Sequence, residues 1–134
     1  MTVHVELLMP DRSLWSGEAG LVIAKTMDGD IGVMPGHSPL FGILSPGSLV
    51  RVREVEGSDN SGDVVRAAVR DGFLSVHDDR VSILASVAAL STEVDMAAAR
   101  AEMESAAAEA SGSVEESPEY RYARARLQAA GEQA

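Results

Sequence analysis

The sequence predicts a mainly β protein with an α-helical tail: an N-terminal antiparallel β-sandwich in residues 1–90 and a C-terminal antiparallel two-helix hairpin in residues 91–134. Two observations support this division. In the first part, short runs rich in β-branched residues alternate with clusters of Gly, Pro, Asp and Asn, and nothing of helical length lies between them. The second part is rich in Ala and Glu, which are strong helix formers.

The clearest strand-like runs are residues 3–9, 21–26, 48–55, 64–69, 72–77 and 81–86. Residues 50–53 alternate valine with arginine, as expected for a strand with one buried and one solvated face. Turn-forming clusters, among them Asp28-Gly29-Asp30 and Pro46-Gly47, separate the runs. Because aromatic residues are few, the core is expected to consist of Val, Ile, Leu and Ala.

Two helices are predicted in the tail. The first covers residues 95–110, which lack Gly and Pro, and either Asp95 or Ser91 can cap its start. The second is expected to start at Ser117, with Pro118 in its first turn, and to end at Gly131. The apolar stripe of the first helix contains Met96, Ala99, Met103, Ala106, Ala107 and Ala110, and that of the second contains Tyr120, Ala123, Leu127 and Ala130.

The hairpin is expected to be weakly attached to the sandwich. Each helix is close to the ~12–15 residues at which isolated helices are marginal. The stripes are mostly alanine, which buries little apolar area and so contributes little hydrophobic energy. The residues alone leave two interpretations open, a mobile switch and a passive C-terminal cap.

Composition and charge argue against several classes of function. The net charge of −10 disfavours a nucleic-acid partner, which needs a basic surface. No cysteine is present for a disulfide or a thiolate metal site. The N-terminus lacks a signal-peptide pattern, and the apolar runs are shorter than the ~20 residues needed to cross a bilayer. We therefore expect a soluble, intracellular protein without direct membrane insertion.

The sequence also lacks the motifs of common active sites. It contains neither a phosphate-binding Gly-x-x-x-x-Gly-Lys-Ser/Thr loop nor a Gly-x-Ser-x-Gly elbow, and its three histidines are scattered. Residues 28–30 have part of the pattern of a calcium loop, and residues 77–79 have the residue types of a metal cluster. In both places a turn is the favoured interpretation. We expect no catalytic residue, no metal site and no cofactor.

One segment, Asp-Gly-Asp-Ile-Gly-Val-Met-Pro-Gly-His-Ser-Pro-Leu at residues 28–40, carries a specific resemblance. It resembles the Gly-Glu/Asp-Ile/Leu-Gly-x-x-Pro-Gly-His-x-Pro-Leu signature of the epsilon subunits of bacterial F-type ATP synthases. Residues 44–50 and 70–85 resemble later strands of that family, and Met9, Pro10 and Trp15 match its first turn. The resemblance covers essentially the whole chain and is strongest over residues 1–90.

The resemblance implies a non-catalytic rotor subunit that couples proton-driven rotation of the membrane c-ring to ATP synthesis. The sandwich would bind the gamma subunit and the c-ring on the cytoplasmic face of the bacterial plasma membrane. Matching the signature residue by residue places the c-ring contact at Gly29, Asp30 and Ile31. It places the gamma contact at Gly36, His37 and Ser38.

The resemblance also implies a regulatory hairpin. In the family the hairpin either folds on the sandwich or extends into the alpha/beta catalytic hexamer, where it restrains ATP hydrolysis. By that analogy Arg121, Arg124 and Arg126 would contact acidic loops of the hexamer. Some relatives bind ATP through Ile/Leu-Asp-x-x-Arg-Ala, but here Arg100 follows Asp95 by five residues instead of three. This moves the arginine from about 60° to about 140° away from the aspartate, which disfavours nucleotide binding by this pair.

From the residues alone, two other functions stay open. One is a stand-alone β-sandwich module that binds a small ligand or a nucleotide. The other is an enzyme whose site is completed by a partner chain. For His37, the alternative to a partner contact is a hydrogen bond within its own turn.

Overall fold

The protein folds into eight strands followed by two helices, in a computed structural model that describes residues 2–55, 63–109 and 117–131. The helices are α1, Met96–Glu109, and α2, Pro118–Gly131, and a 3-10 turn at Ser91–Glu93 precedes α1. The strands are β1 Val3–Leu8, β2 Ser13–Ala19, β3 Leu21–Thr26, β4 Gly29–Val33, β5 Leu40–Ile43, β6 Ser48–Arg53, β7 Asp63–His77 and β8 Arg80–Leu90.

The strands form two layers, and the two longest strands run through both. In the first layer the order is β2, β1, the first half of β8, the second half of β7, and β5. In the second layer the order is the second half of β8, the first half of β7, β6, β3 and β4. The pairing of β7 with β8 shifts register around Asp71, which marks a bulge at the point where both strands pass between layers.

The predicted sandwich is confirmed, with differences in detail. The runs at residues 64–69 and 72–77 belong to the single strand β7, because Arg70 and Asp71 form part of a bulge and not a turn. The pairing of β1 with β8 is parallel, whereas the prediction was antiparallel throughout. Glycine-containing β4 and four-residue β5 show little apolar alternation, and neither was among the clearest runs.

The core lies between the layers and contains the four predicted residue types. Its buried members are all Val, Leu, Ile or Ala, and Leu7, Leu44, Leu74 and Ile83 are among the largest fully buried side chains. Full burial of each such leucine or isoleucine contributes about 1.5–3 kcal/mol. The sandwich therefore has a continuous apolar core that does not depend on the helices.

The helices begin where the sequence indicates. Asp95 caps α1, since its Oδ1 accepts a hydrogen bond from the Ala98 amide at 3.1 Å. Ser91 instead begins the 3-10 turn. Ser117 Oγ accepts from the Tyr120 amide at 3.3 Å and so caps α2. The predicted inter-helix linker at residues 111–116 lies outside the described residues.

The predicted apolar stripe of α2 is wrong, because this helix is covered on two sides. It packs against α1 on one side and against β7 and β6 on the other. Its buried residues are Ala123, Ala125 and Ala129, and only the first belongs to the predicted stripe. Positions 123 and 125 are about 200° apart around a helix, so no single stripe contains both. On α1, Ala99 and Ala106 are buried as predicted, whereas Met96 is exposed.

Candidate docking surfaces

The loop between β4 and β5 holds the three residues expected to contact gamma, Gly36, His37 and Ser38. Gly36 has φ +87°, a left-handed conformation that favours glycine. The His37 amide donates to the Met34 carbonyl at 3.2 Å, and His37 Nδ1 donates to the Ser38 carbonyl at 2.7 Å. The internal hydrogen bond considered for His37 is therefore present. We call residues 36–38 the docking loop.

The three residues expected to contact the c-ring lie on a different element, the edge strand β4. This strand ends the second layer and pairs with β3, where Asp30 is opposite Lys25. Gly29 and Asp30 are exposed, and Ile31 packs partly against the core. The two sets of signature residues thus occupy a sheet edge and the loop that follows it.

An exposed apolar surface, which the sequence motifs do not predict, lies on the outer side of the first layer. Phe41 is 63% exposed and Ile43 is 53% exposed on β5, and Leu84 is 38% exposed on β8. Ile43 is opposite Phe73 of β7, which in turn is opposite Leu84. The rings of Phe41 and Phe73 are 5.2 Å apart. We call this surface, formed by Phe41, Ile43, Phe73 and Leu84, the docking face.

The docking face continues into an apolar groove. The groove has a volume of about 430 Å³ and lies between the β1–β2 turn and the bulge of β7. Met9 and Pro10 line one side, and Phe73 and Leu84 line the other. The sequence signal for this surface is the spacing of Phe41 and Ile43, because residues two apart on a strand share a face.

The three arginines of α2 expected to contact the catalytic hexamer do not share one surface. Arg126 forms an ion pair with Glu102 of α1 and lies 4.9 Å from the centre of the Tyr122 ring. Burial lowers the pKa of Arg126. Arg121 and Arg124 line a cleft of about 350 Å³ between α2 and the second layer, which Lys25, Asp30 and Arg51 also line.

Ion pairs between described residues join the helical part to the sandwich. Arg70 of β7 contacts Glu119 of α2 at 3.2 Å, and Arg12 contacts Glu93 at 3.0 Å. Glu93 also accepts a hydrogen bond from the Leu90 amide at 3.0 Å. The bond from Leu90, followed by the bond from Arg12, lowers the pKa of the Glu93 carboxyl below its ordinary value of 4.5.

Two further groups with shifted pKa values are a tyrosine of α2 and a glutamate that contacts a histidine. Burial raises the pKa of Tyr122 on α2 above its ordinary value of 10.0. On the first layer, His4 Nδ1 contacts Glu18 at 2.6 Å, and Thr2 donates to the same carboxylate at 2.8 Å. The bonds from His4 and Thr2 lower the pKa of Glu18.

The residues considered for nucleotide and metal binding lie in a helix and in turns between strands. Asp95 caps α1, and Arg100 is exposed on the same helix. Residues 28–30 connect β3 to β4 and begin β4, and residues 77–79 lie at the β7–β8 turn. In the described part of the chain, no group of three or more His, Cys, Asp or Glu residues is placed to hold a metal ion.

Comparison with known proteins places this architecture in a family. Residues 2–91 match the family described as ATP synthase, Delta/Epsilon chain, beta-sandwich domain. The ATP synthase epsilon chain of Thermobifida fusca is 52% identical over 129 residues, which are 96% of this chain and 91% of that relative. This chain belongs to the ATP synthase epsilon chain family.

A second epsilon chain and a chain of a solved structure are also similar to this chain. The ATP synthase epsilon chain of Frankia casuarinae is 46% identical over 90 residues, which are 67% of this chain and 99% of that relative. The cryo-EM structure of the Euglena gracilis mitochondrial ATP synthase, comprising OSCP, F1 and c-ring, contains a chain of similar fold. The TM-score is 0.70 at 21% identity, over 98% of this chain and 80% of that chain.

Membership of the epsilon chain family confirms the resemblance predicted from the signature. The protein is a non-catalytic subunit of the ATP synthase, a membrane-associated complex. It is therefore neither a stand-alone binding module nor an enzyme completed by a partner chain. Among residues 2–55, 63–109 and 117–131, no helix has the length and hydropathy to span a membrane.

Proposed function

We propose that this epsilon chain is a rotor part of the central stalk, on the cytoplasmic face of the bacterial plasma membrane. It binds the gamma subunit and the c-ring through its sandwich and helps to couple proton-driven rotation to ATP synthesis. The single observation that carries this proposal is the docking face. Large apolar side chains that are 38–63% exposed on adjacent strands form a continuous surface on a strongly acidic chain.

Gamma is the partner assigned to the docking face. Apolar and aromatic side chains with a polar rim are typical of the centre of a stable protein interface. The signature residues expected to contact gamma lie in the loop directly before β5, the strand that carries Phe41 and Ile43. A single partner surface can therefore cover both the docking loop and the docking face.

The c-ring contact is assigned to the edge strand β4. Its exposed residues Gly29 and Asp30 present backbone groups and one carboxylate at the end of the second layer. Polar loops of the ring can pair with such an edge. The ring contact and the gamma contact then lie on different layers, so both partners can bind at once.

The hairpin, residues 91–134, is assigned a regulatory role as a second module. It packs through α2 on β7 and β6, away from Phe41, Ile43 and Leu84, so α2 can move without removing these side chains from the gamma contact. The relative from Frankia casuarinae supports the division into two modules. It matches this chain over 90 residues, which are 99% of its own length, so it has room for little more than the sandwich. An extended hairpin would free Arg121, Arg124 and Arg126 from their folded-state positions to meet acidic loops of the catalytic hexamer.

The experiment compares binding of purified gamma subunit to full-length variants by calorimetry. Phe41→Ser and Leu84→Ser are expected to weaken binding at least tenfold, because each removes apolar area from the docking face. Met96→Ser is the matched control, since Met96 is 41% exposed but lies on α1. Equal affinities for all three variants and the unmodified chain would rule out the docking face as the gamma contact.

A further inference from the structure

The turn between β7 and β8 has an unusual backbone for its residues. Asp78 has φ 49° and Asp79 has φ 59°, so two successive non-glycine residues are left-handed. Two left-handed residues between paired strands are the mark of a tight type I′ hairpin turn, in which Asp, Asn and Gly are favoured. The flanking residues His77 and Arg80 are paired. This geometry fixes where the Asp79 side chain and carbonyl lie.

Asp79 joins two distant parts of the chain to this turn. Its backbone carbonyl accepts a hydrogen bond from the His4 amide of β1 at 2.8 Å. Its Oδ1 accepts a hydrogen bond from the Gly36 amide at 2.7 Å, across a sequence separation of 43 residues. A carboxylate that accepts from a backbone amide makes a stronger bond than a neutral acceptor. The docking loop is thus attached to the first layer through Asp79.

We propose that Asp79 is a positioning residue for partner binding: its carboxylate selects the conformation of the docking loop that gamma recognises. This inference rests on the proposed gamma contact at Gly36, His37 and Ser38. Glycine has access to many backbone conformations, so a loop that begins at Gly36 must be ordered when a partner binds. The bond from Gly36 to Asp79 orders the loop in advance, which reduces the entropy cost of association.

Three substitutions separate the role of the carboxylate from that of the backbone. Asp79→Gly keeps the left-handed backbone and removes the acceptor, whereas Asp79→Asn keeps both an Oδ1 acceptor and tolerance of this conformation. Asp78→Gly is the matched control. It makes the same change of residue and charge in the same turn, but the Asp78 carboxylate lies 3.2 Å from His77 Nδ1 and not at Gly36.

Two measurements on the full-length chain test the proposal. Amide hydrogen exchange at Gly36, followed by NMR, is expected to be at least tenfold faster in Asp79→Gly, intermediate in Asp79→Asn, whose neutral acceptor is weaker, and near the unmodified rate in Asp78→Gly. The dissociation constant for gamma is expected to rise about fivefold or more in Asp79→Gly, by a smaller factor in Asp79→Asn and not at all in Asp78→Gly, with melting temperatures unchanged.

The outcomes distinguish this inference from the proposed function. Unchanged Gly36 exchange in Asp79→Gly, or faster exchange with unchanged gamma affinity, would overturn the positioning role. An Asp79→Asn chain as impaired as Asp79→Gly would also overturn it, since the acceptor is retained. A chain that binds no gamma at all would overturn the proposed function, and Gly36 exchange would still decide whether Asp79 orders the loop.

Discussion

Gly47 of the sandwich lies directly against the backbone of Arg121 in α2. A Cβ atom at position 47 would stand 2.5 Å from the Arg121 carbonyl carbon and 2.8 Å from its carbonyl oxygen. Gly47 also has φ +65°, in the turn that precedes β6. Sandwich and hairpin therefore meet at a point where no side chain fits, and this contact depends on glycine.

Gly47→Ala is expected to detach α2 and leave the sandwich folded. The added methyl group cannot be accommodated by a backbone neighbour, so the helix must move away. Amide exchange within α2 should rise at least tenfold, whereas exchange in β1 and β8 should change little. Gly29→Ala is the control, because Gly29 also has a positive φ, +123°, but has nothing within 4 Å of the added Cβ. Equal effects of both substitutions would show that the contact with Arg121 is unimportant.

Deletion of residues 91–134 is expected to leave a folded sandwich. The cut follows β8, so every strand pairing and the apolar core are retained. The truncated chain should keep its β-type circular dichroism spectrum and its affinity for gamma, while the assembled ATP synthase should change its rate of ATP hydrolysis. Unfolding of the truncated chain would contradict the division into two modules.

Gly72→Ala is expected to destabilise the sandwich itself. At the bulge of β7, a Cβ would lie 2.8 Å from the Ala85 Cα and 3.0 Å from the Leu84 carbonyl carbon. Overpacking of this kind costs about 1–3 kcal/mol of unfolding free energy, measurable by urea denaturation. Gly32→Ala is the matched control in a strand, because its Cβ would meet a Leu21 side-chain atom at an ordinary 3.6 Å. A loss in the control as large as that in Gly72→Ala would refute the packing argument.

Attachment of the hairpin is expected to weaken in acid through Glu93. The pKa of Glu93 is lowered in the folded protein, so its contribution is complete above its ordinary value of 4.5 and is lost as the pH falls through the lower folded value. Protonation weakens the bonds from Leu90 and Arg12. The protection factors of the α2 amides, which correct for the pH dependence of intrinsic exchange, should fall less steeply from pH 7 to pH values below 4.5 in Glu93→Gln than in the unmodified chain.

Glu104→Gln, an exposed substitution on α1, controls for the removal of one charge. It should retain the full acid response of the unmodified chain. An identical pH profile for Glu93→Gln and the unmodified chain would assign the acid response to other groups.

Much of the fold follows from local sequence, and the exceptions have physical causes. Residues 50–53 predict their strand because one face of β6 is buried and the other is not. The stripe of α2 is not predictable in this way, since burial on two sides removes the contrast between faces. The continuity of β7 is also not predictable from the local sequence. Arg70 and Asp71 are residue types common in turns, but here they form a bulge that bends the strand without ending it.

Some parts of the candidate site are likewise predictable from the sequence, and others are not. The signature predicts the docking loop and the β4 edge, because both rely on glycine and proline at fixed positions. The motifs do not predict the exposed pair Phe41 and Ile43, since the exposure of a side chain depends on which strands lie beside it. The bond from Gly36 to Asp79 joins residues far apart in sequence and has no local signal.

The passage of β7 and β8 through both layers affects how the subunit carries load. Two separate sheets touch only through side chains, and such interfaces can slide under shear. Here β7 and β8 belong both to the layer that carries the proposed gamma contact and to the layer that carries α2, so a force between the layers is carried by covalent bonds. A subunit built in this way deforms little between its layers when a torque acts on it.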